Sequence, residues 1–352
     1  MTPGCSETSG RVRRSGFTLP AVLAVTGVVT IVFLVAITAL ANLTAEAQAA
    51  RSRLRFLQEA LTAEANITMI AATEPFAPRG MEIGATRRFN EFVGLTTTFT
   101  TGQRPAELRL DGRSYSMDVN GAPLVVGLQD QAGMINLSVL DEPGLLRLGE
   151  AAGVPAAQRR TLWPRLRDYV DADALETISG AEARDYGPGG PANRKLLSGA
   201  EWLSVLGVRD AINSRLWRRV RDQVTADATE ASANVNTASL EALRIRFGFT
   251  EQEARAIIAA RERAPILSPG EAGIIVGRDL QIDPLTLYTY PSGRIVFTIR
   301  DTRSPWVYRG RLSLTPGDPD QPFWIDQTDT FEGPRRTRAD ASDAPLLPYT
   351  PN

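Results

Sequence analysis

The chain of 352 residues contains no histidine and a single cysteine, Cys5. Without histidine it cannot build a Ser-His or Cys-His nucleophilic site, and it lacks the imidazole ligands of the usual zinc sites. Cys5 precedes the apolar segment of the chain, so the portion beyond that segment has no means of forming a disulfide. The first absence excludes much of enzymology, and stability must come from packing or from a metal bound through oxygen.

An excess of positive charge is also missing, because 39 basic side chains are balanced by 40 acidic ones. The sequence pI of about 5.9 disfavours a dedicated DNA or RNA partner, which would draw on a basic surface. The chain does have length and apolar content, since 43% of its residues are apolar. A chain of this size has room for two packed units and a membrane segment.

The stretch Phe17–Ala41 carries no charge over 25 residues. As a helix it would be about 37 Å long, against roughly 30 Å for the hydrocarbon core of a bilayer. Arginines at positions 11, 13 and 14 precede it, and by the positive-inside rule they keep residues 1–16 in the cytoplasm. An ordinary signal peptide explains the same pattern, since alanines between positions 39 and 50 offer a small-residue cleavage site.

The leader joins the apolar stretch through the sequence RRSGFTL, in which Gly16 stands directly before Phe17. This junction resembles the prepilin peptidase site, where cleavage falls after the glycine on the cytoplasmic side. The resemblance implies that residues 1–16 are removed and that Phe17 becomes the N-methylated first residue of a chain that keeps its apolar helix. The fifth mature position, which is glutamate in most pilins and pseudopilins, is Ala21 here.

Beyond the apolar stretch the pattern is amphipathic, and it predicts one long helix from Phe17 to about Ala72. Short β-branched or alternating runs then predict strands of a small sheet packed on this helix. Further on, candidate capping boxes predict short helices between residues 138 and 277, and strand character returns afterwards. The predicted strands are Phe89–Thr100, Ser114–Gln129, Leu287–Arg300, Trp306–Thr315 and Phe323–Gln327, and the capping boxes are Ser198 with Glu201, Thr250 with Glu253 and Ser268 with Glu271.

Several segments, taken in order, resemble the general secretion pathway protein K family, the K-type minor pseudopilins of type II secretion systems. The resemblance extends over roughly residues 11 to 327. The segments are DQAGMINL from Asp130, DYVDAD from Asp168, GAE from Gly180 followed by Tyr186, ANRKL from Ala192, EWL from Glu201, Gly207-Val208, and NVNTAS from Asn234.

The resemblance implies an α+β fold in which a long type IV pilin-like helix packs on a small antiparallel sheet. A large all-helical insertion, of helix-hairpin-helix or SAM-like type, interrupts the sheet. The expected regions are 1–16, the cytoplasmic leader; 17–72, the transmembrane and amphipathic helix; 73–137, the first β region; 138–280, the inserted helical domain; 281–330, the last strands; and 331–352, a mobile tail with little to bury.

The expected function is that of a non-enzymatic tip subunit that caps a pseudopilus and initiates its assembly for protein export. A subunit without glutamate at the position of Ala21 has no partner to recruit above it, and K-type pseudopilins share this departure. The implied partners are the I- and J-type minor pseudopilins, the major pseudopilin, the prepilin peptidase and the inner membrane. Most of the chain is then expected in the periplasm, and no nucleic acid partner is expected.

An acidic loop is the best candidate for binding chemistry, with Asp171, Asp173, Glu182 and Asp185 within fifteen residues. Carboxylate oxygens suit calcium, and members of the resembled family bind calcium in the helical domain. The spacing is not that of an EF-hand, which would want an acidic or amide side chain at position 175 and glycine at position 176. The alternative is a solvated turn in which these residues cap local structure.

Other functions remain open. The Asn234 motif also opens helix-hairpin-helix modules that bind DNA phosphates, which would suit a membrane-bound DNA receptor. Against that, the hairpin Phe247–Thr250 has one glycine rather than two, and the next helix is acidic. A minor type IV pilus subunit or an adhesive tip subunit would carry glutamate at position 21 and often cysteines. Glycoside hydrolysis by the acidic loop would need an aromatic-rich sugar cleft, of which there is no sign.

Two groups of residues are predicted to have packing roles. The asparagines Asn136, Asn193 and Asn234 are expected to satisfy buried turns. The aromatic residues of the late strands are expected in the core or at a sheet edge. These are Trp306, Tyr308, Phe323 and Trp324.

Overall fold

The computed structural model describes residues 18–84, 106–280, 289–333 and 344–347. Helix α1 runs over Thr18–Thr73, so the helix predicted to end near Ala72 is confirmed. Its predicted first residue, the predicted strand 89–100, and the leader with its Gly16–Phe17 junction lie outside the described residues. The chain divides into two compact units, of which the first ends at Arg55 and the second begins at Phe56.

In the first unit, α1 exposes every described side chain from Leu19 onward. This part of the helix contains a window of mean hydropathy 2.6 with none of its residues buried. A helix whose whole circumference is apolar and uncovered is typical of a membrane span. By length and composition this one is able to cross a bilayer.

In the second unit, α1 continues with an apolar face toward a sheet. The buried positions recur at spacings of four and three residues, which places them on one side of the helix. Two carboxylates flank this face: Glu64 accepts a hydrogen bond from the Tyr308 hydroxyl at 2.7 Å, and Glu59 pairs with Arg303 at 2.9 Å. The buried residues of this face include Phe56, Ala60, Ala63, Ile67 and Ile70.

Two antiparallel sheets follow α1. The smaller has the order β1-β2-β3, and the larger has the order β10-β9-β8-β5-β4. Buried side chains of the larger sheet, such as Phe297 and Leu312, form one apolar cluster with the buried face of α1. The strands are β1 Phe76–Ala77, β2 Gly80–Ile83, β3 Ala106–Arg109, β4 Asp111–Val119, β5 Ala122–Asp130, β8 Arg294–Asp301, β9 Trp306–Leu314 and β10 Phe323–Glu332.

The helical region is inserted between two neighbouring strands. Strand β5 ends at Asp130, and β8 pairs with it from Ile295, which lies directly opposite Asp130. Strands β6 Ile135–Asn136 and β7 Val224–Thr225 pair with each other in parallel, away from the larger sheet. A helical insertion within a β framework is therefore confirmed, but it begins after Asp130, because Ile135 and Asn136 pair within the insertion rather than with the sheet.

The insertion has its own apolar core, which includes Trp202 and Leu243. Of the predicted capping boxes, only Thr250 with Glu253 makes both hydrogen bonds. The Ser268 side chain accepts a hydrogen bond from the Glu271 amide, which is half of a box, and the Ser198 side chain makes no capping hydrogen bond. The helices are α2 Glu142–Ala151, α3 Ala156–Arg159, α4 Leu162–Val170, α5 Ala183–Tyr186, α6 Val208–Ala211, α7 Ser214–Val220, α8 Leu240–Arg246, α9 Glu251–Arg263 and α10 Pro269–Val276, with short 3₁₀ turns between some of them.

The C-terminal segment departs from the prediction of a mobile tail with little to bury. Residues 331 and 332 belong to β10, and residues 344–347 lie along β4. Ser116 donates its amide to Pro345 O and accepts from Leu347 N, both at 2.8 Å. Leu347 is 4% exposed within the apolar cluster of the sheet and α1. Its burial is a long-range contact that composition alone does not reveal.

Candidate functional site

The loop between α4 and α5 is organised around Asp168, a buried carboxylate at the end of α4. Its oxygens accept hydrogen bonds from the Thr177 hydroxyl at 2.8 Å, from the Thr177 amide at 3.1 Å and from the Ala181 amide at 2.9 Å. A side chain at Gly180 would collide with the same carboxylate, so glycine is needed for this close approach. The loop is thus folded over an anion.

Three carboxylate oxygens of this loop are buried without a well-aligned hydrogen bond, although Asp171 as a whole is only half-buried. Asp171 Oδ1 and both oxygens of Glu182 have no partner in the described parts of the chain. Glu182 is the N-cap of α5, and its carboxylate faces the amides of Ala183 and Asp185 in a capping box whose contacts are too poorly aligned to count as full hydrogen bonds. Such donors compensate for burial only in part, and a cation or water beside these oxygens would complete their interactions.

The electrostatics of the loop point the same way. Burial, followed by repulsion from Asp168, Asp171 and Asp173, raises the pKa of Glu182 above its ordinary range. Burial, with repulsion from Asp173 and Asp168, likewise raises the pKa of Asp171. These carboxylates are close enough to repel one another, and a bound cation would relieve that repulsion.

The predicted calcium residues are only partly brought together. Asp171 and Glu182 carry the unpartnered oxygens. Asp173 is exposed nearby, and its carboxylate accepts a hydrogen bond from the Leu175 amide at 2.8 Å. Asp185 instead accepts the Glu182 amide at 3.0 Å and so completes the cap of α5. In the described ranges, no three acidic side chains converge as a finished metal site requires. The residues fit a hard cation in type, while their positions leave the site open.

Asp168 was not among the predicted ligands, although it opens the acidic run Asp168-x-x-Asp171-x-Asp173. A signal was available, because Asp168 and Asp171 are three residues apart at the end of a helix, a spacing that places two side chains on the same face. What the spacing could not reveal was its partner, since Thr177 and Ala181 reach it only when the loop folds back. Asp168 organises the loop, whereas Asp185, the acidic residue farthest along the sequence, bonds to the start of α5 instead.

A second polar cluster lies where the insertion meets the sheet. Asp130 is fully buried and accepts hydrogen bonds from Thr237 Oγ1 at 2.7 Å, Asn234 Nδ2 at 3.2 Å and the Ser292 hydroxyl at 2.9 Å. Burial raises its pKa, while these donors act in the opposite direction. The segments that begin at Asp130 and at Asn234 therefore meet in space and join the insertion to the sheet.

The asparagines were predicted to satisfy turns, and two of them do so in the interior. Asn136 donates to Asp227 O at 2.7 Å and to Glu230 O at 2.6 Å. Asn234 is fully buried, and its side-chain oxygen accepts a hydrogen bond from the Asn236 amide at 2.9 Å. Asn193 adopts a left-handed backbone with φ of 47°, a conformation that asparagine tolerates better than most residues.

The aromatic residues of the late strands divide between core and edge. Tyr308 is 5% exposed and packs with Phe297, whereas Phe323 and Trp324 are 39% and 47% exposed on the outermost strand β10. Trp306 lies between these extremes, packed against the core of the sheet. This is the predicted mixture of core and edge packing.

The helix-hairpin-helix segment does not present the usual phosphate site. Gly248 joins α8 to α9 with φ of +67°, and the Arg147 guanidinium lies beside it. At the start of α9 the Glu253 carboxylate accepts the Thr250 amide at 2.7 Å and pairs with Arg278 at 2.7 Å. The helix N-terminus, where a phosphate would bind, is already closed by a carboxylate.

The outward face of α1 in the second unit carries an uncovered apolar stripe beside polar residues such as Gln58 and Thr62. Leu61 and Met69 are 52% and 53% exposed. The exposed Ala65 lies midway between them, four residues from each, and the exposed Ala72 follows Met69 by three residues. These four residues form one stripe on the helix, opposite its buried face. Stripes of this kind usually contact another helix.

Neither a protein-family model nor a curated protein matches the sequence. Among solved structures, the chain is similar to a chain in the crystal structure of the GspK-GspI-GspJ complex from the type 2 secretion system of enterotoxigenic Escherichia coli. The likeness has a TM-score of 0.54 at 15% identity, and it covers 82% of this chain and 100% of the other. At that identity the likeness shows the fold, and the expected pilin-like α+β fold with an insertion is confirmed.

Proposed function

We propose that this protein is a K-type minor pseudopilin, a structural tip subunit of a type II secretion pseudopilus. The observation that supports it most directly is the helical insertion between β5 and β8 of a pilin-like sheet, in a fold similar to a chain of a GspK-GspI-GspJ complex. The work of such a subunit is mechanical, and we propose no reaction for it.

The apolar part of α1 serves first as a membrane anchor and later as an assembly surface. We expect prepilin peptidase to cleave after Gly16, leaving Phe17 as the methylated N-terminus in the inner membrane, with most of the chain in the periplasm. Ala21 then occupies the fifth mature position, so the subunit offers no carboxylate to the terminal amine of a subunit above it. This suits the top of a fibre, where the subunit caps the pseudopilus and initiates its assembly.

The partners follow from the exposed stripe on α1. Leu61, Ala65, Met69 and Ala72 offer an apolar ridge that suits the helices of I- and J-type minor pseudopilins and of the major pseudopilin. A chain with the same fold was crystallised in a complex of three different subunits. Contact between helices along this ridge is the proposed basis of assembly.

Calcium binding at the loop that follows α4 is a further part of the proposal. Asp171 and Glu182 would hold the ion through their unpartnered oxygens, with Asp168 and Asp173 beside them. Calcium would supply charge neutralisation and would order the loop, without any catalytic step. Asp185 is left out of the ligand set because it caps α5.

Two alternatives receive less support. A helix-hairpin-helix DNA receptor would need an open helix N-terminus at α9, and Glu253 closes that terminus. A minor type IV pilus subunit shares the pilin-like fold, but most such subunits carry glutamate where this chain has Ala21. The insertion between β5 and β8 favours the pseudopilin.

The test is the N-terminal sequence and mass of the mature protein, from cells with and without prepilin peptidase. A chain that starts at Phe17 only when the peptidase is present would support the proposal. A matched Gly16→Ala variant should stay unprocessed, whereas Gly27→Ala, within the same apolar helix, should be processed normally. An intact Met1 in both strains, or cleavage beyond Ala41, would overturn the proposal in favour of an ordinary anchored or secreted protein.

A further inference from the structure

The insertion and the five-stranded sheet are joined by a polar interface rather than by a common core. Among the described residues, no side chain belongs to both apolar clusters. Two cavities of about 510 and 220 Å³ lie between the two parts. Asp222 of the insertion and Val296 and Arg309 of the sheet line both, and Trp217 lines the larger. Interfaces of this kind allow relative motion of the parts unless specific contacts hold them.

The covalent connections between the two parts lie close together. The chain enters the insertion after Asp130 and returns to the sheet at Arg294, and these residues end neighbouring strands. The buried hydrogen bonds of Asp130 to Thr237 and Ser292 hold both connections at one point. Two adjacent connections that share one anchor form a hinge, about which the rest of the insertion is able to turn.

Away from this hinge, the last turn of α9 contacts both antiparallel sheets through ion pairs. Glu262 accepts hydrogen bonds from Arg109 of β3 and, at 2.9 Å, from Arg113 of β4. Arg79, which precedes β2, donates to the Arg261 carbonyl at 2.7 Å and so caps the end of the helix. The guanidinium groups outweigh the effect of partial burial and lower the pKa of Glu262, so its carboxylate is charged at neutral pH.

Arg109 and Arg113 are themselves held in place by acidic neighbours in the sheet. Glu107 pairs with Arg109 at 3.3 Å and with Arg79 at 2.7 Å, and Asp111 pairs with Arg113 at 2.7 Å. The arginines therefore present a fixed positive site, and Glu262 is the group that the insertion contributes to it. Across the cavities, Arg309 of β9 donates to the Asp222 carbonyl at 2.8 Å, and Arg311 of β9 pairs with Asp227 at 3.9 Å.

We propose that Glu262, Arg109 and Arg113 form an ionic latch that holds the insertion closed on the sheet, with the hinge at Asp130 and Arg294. The side chain of Glu262 is 43% exposed, so salt reaches the latch, whereas Asp130 is fully buried and its hydrogen bonds at the hinge are shielded from salt. The latch thus opens under conditions that leave the hinge and both apolar cores intact. This device does not depend on which assembly the protein joins.

The test measures the distance between the two parts in the full-length protein in detergent. Spin labels are placed on cysteines at Thr62 in α1 and Ile274 in α10, both exposed, after Cys5→Ser removes the native thiol. Glu262→Gln should add a second, shifted population and raise the open fraction by about fivefold, since such pairs contribute up to about 1 kcal/mol. About 1 M salt should do the same to the parent protein.

Glu251→Gln is the matched control, because it removes an exposed ion pair with Arg255 within α9 that does not reach the sheet. The control should leave the distance distribution unchanged. If Glu262→Gln and high salt both leave it unchanged as well, the latch is refuted. Arg113→Gln provides an independent variant should Glu262→Gln fail to fold, and a distribution like that of the parent protein would again refute the proposal.

Discussion

Asp130 and Ser292 meet across the base of the insertion. Ser292 donates to the same carboxylate oxygen from its amide at 3.0 Å and from its hydroxyl at 2.9 Å, although 162 residues separate the two in sequence. The other oxygen accepts from Thr237 and Asn234. One carboxylate thus joins the strand that leaves the sheet, the segment that opens the α8–α9 pair, and the turn that leads back into the sheet.

Asp130→Asn should lower the free energy of unfolding by about 1–3 kcal/mol, because an amide nitrogen at either position faces donors instead of accepting from them. The measurement is urea denaturation followed by tryptophan fluorescence, since all five tryptophans lie beyond residue 160. Asp118→Asn, at an exposed position near the end of β4, is the control and should change little. Equal stability of the two variants would show that the Asp130 cluster does not hold the junction.

Calcium should raise the thermal unfolding temperature of the protein, and chelation should lower it again, because the ion would neutralise the repelling carboxylates of Asp171 and Glu182. Glu182→Gln should abolish the calcium-dependent shift, as measured by differential scanning fluorimetry. Glu176→Gln is the control, since Glu176 lies in the same loop but pairs with Arg184. An equal calcium response in both variants would remove Glu182 from the ligand set.

The raised pKa of Glu182 also predicts a pH dependence in the absence of calcium. Above the ordinary glutamate pKa of 4.5 the unfolded chain has lost a proton that the folded protein still holds. The free energy of unfolding contributed by this group therefore falls as pH rises through its folded pKa. In chelator, Glu182→Gln should gain stability relative to the parent protein from pH 4.5 upward, measured by urea denaturation. A pH-independent difference would contradict this.

Leu347→Ala should destabilise the protein by about 2–5 kcal/mol, the usual cost of truncating a buried leucine. Leu346, its neighbour, is 74% exposed, so Leu346→Ala should have almost no effect. Urea denaturation of the two variants compares adjacent leucines with opposite burial. If both behave like the parent protein, the C-terminal segment does not contribute to the core between α1 and the sheet.

The features predicted correctly are those that depend on near neighbours in sequence. The uncharged stretch and the amphipathic pattern after it were enough to place α1 to within a residue of its end at Thr73. The Thr250–Glu253 capping box joins residues three apart, and the structure contains it. The insertion followed from strand patterns on either side of a helical one, because a sheet interrupted by helices must resume to pair its strands.

The features that were missed depend on residues far apart in sequence. Asp185 and Asp168 are the same residue type, and only the folding of the loop directs Asp168 into the loop and Asp185 to the α5 cap. In the sequence Glu262 is one of several glutamates of an acidic helix, and only the fold brings it beside Arg109 and Arg113. Leu347 lay in a segment judged to have little to bury.

The order of amino acids alone therefore decides the apolar helix, the absence of histidine chemistry and the succession of strands and helices, because these depend on composition and on spacings of a few residues. The folded chain decides which charges meet. Ion pairs and buried carboxylates gain or lose free energy according to distance and solvent exposure, and both quantities arise only when Asp130 meets Ser292 and Glu262 meets Arg113.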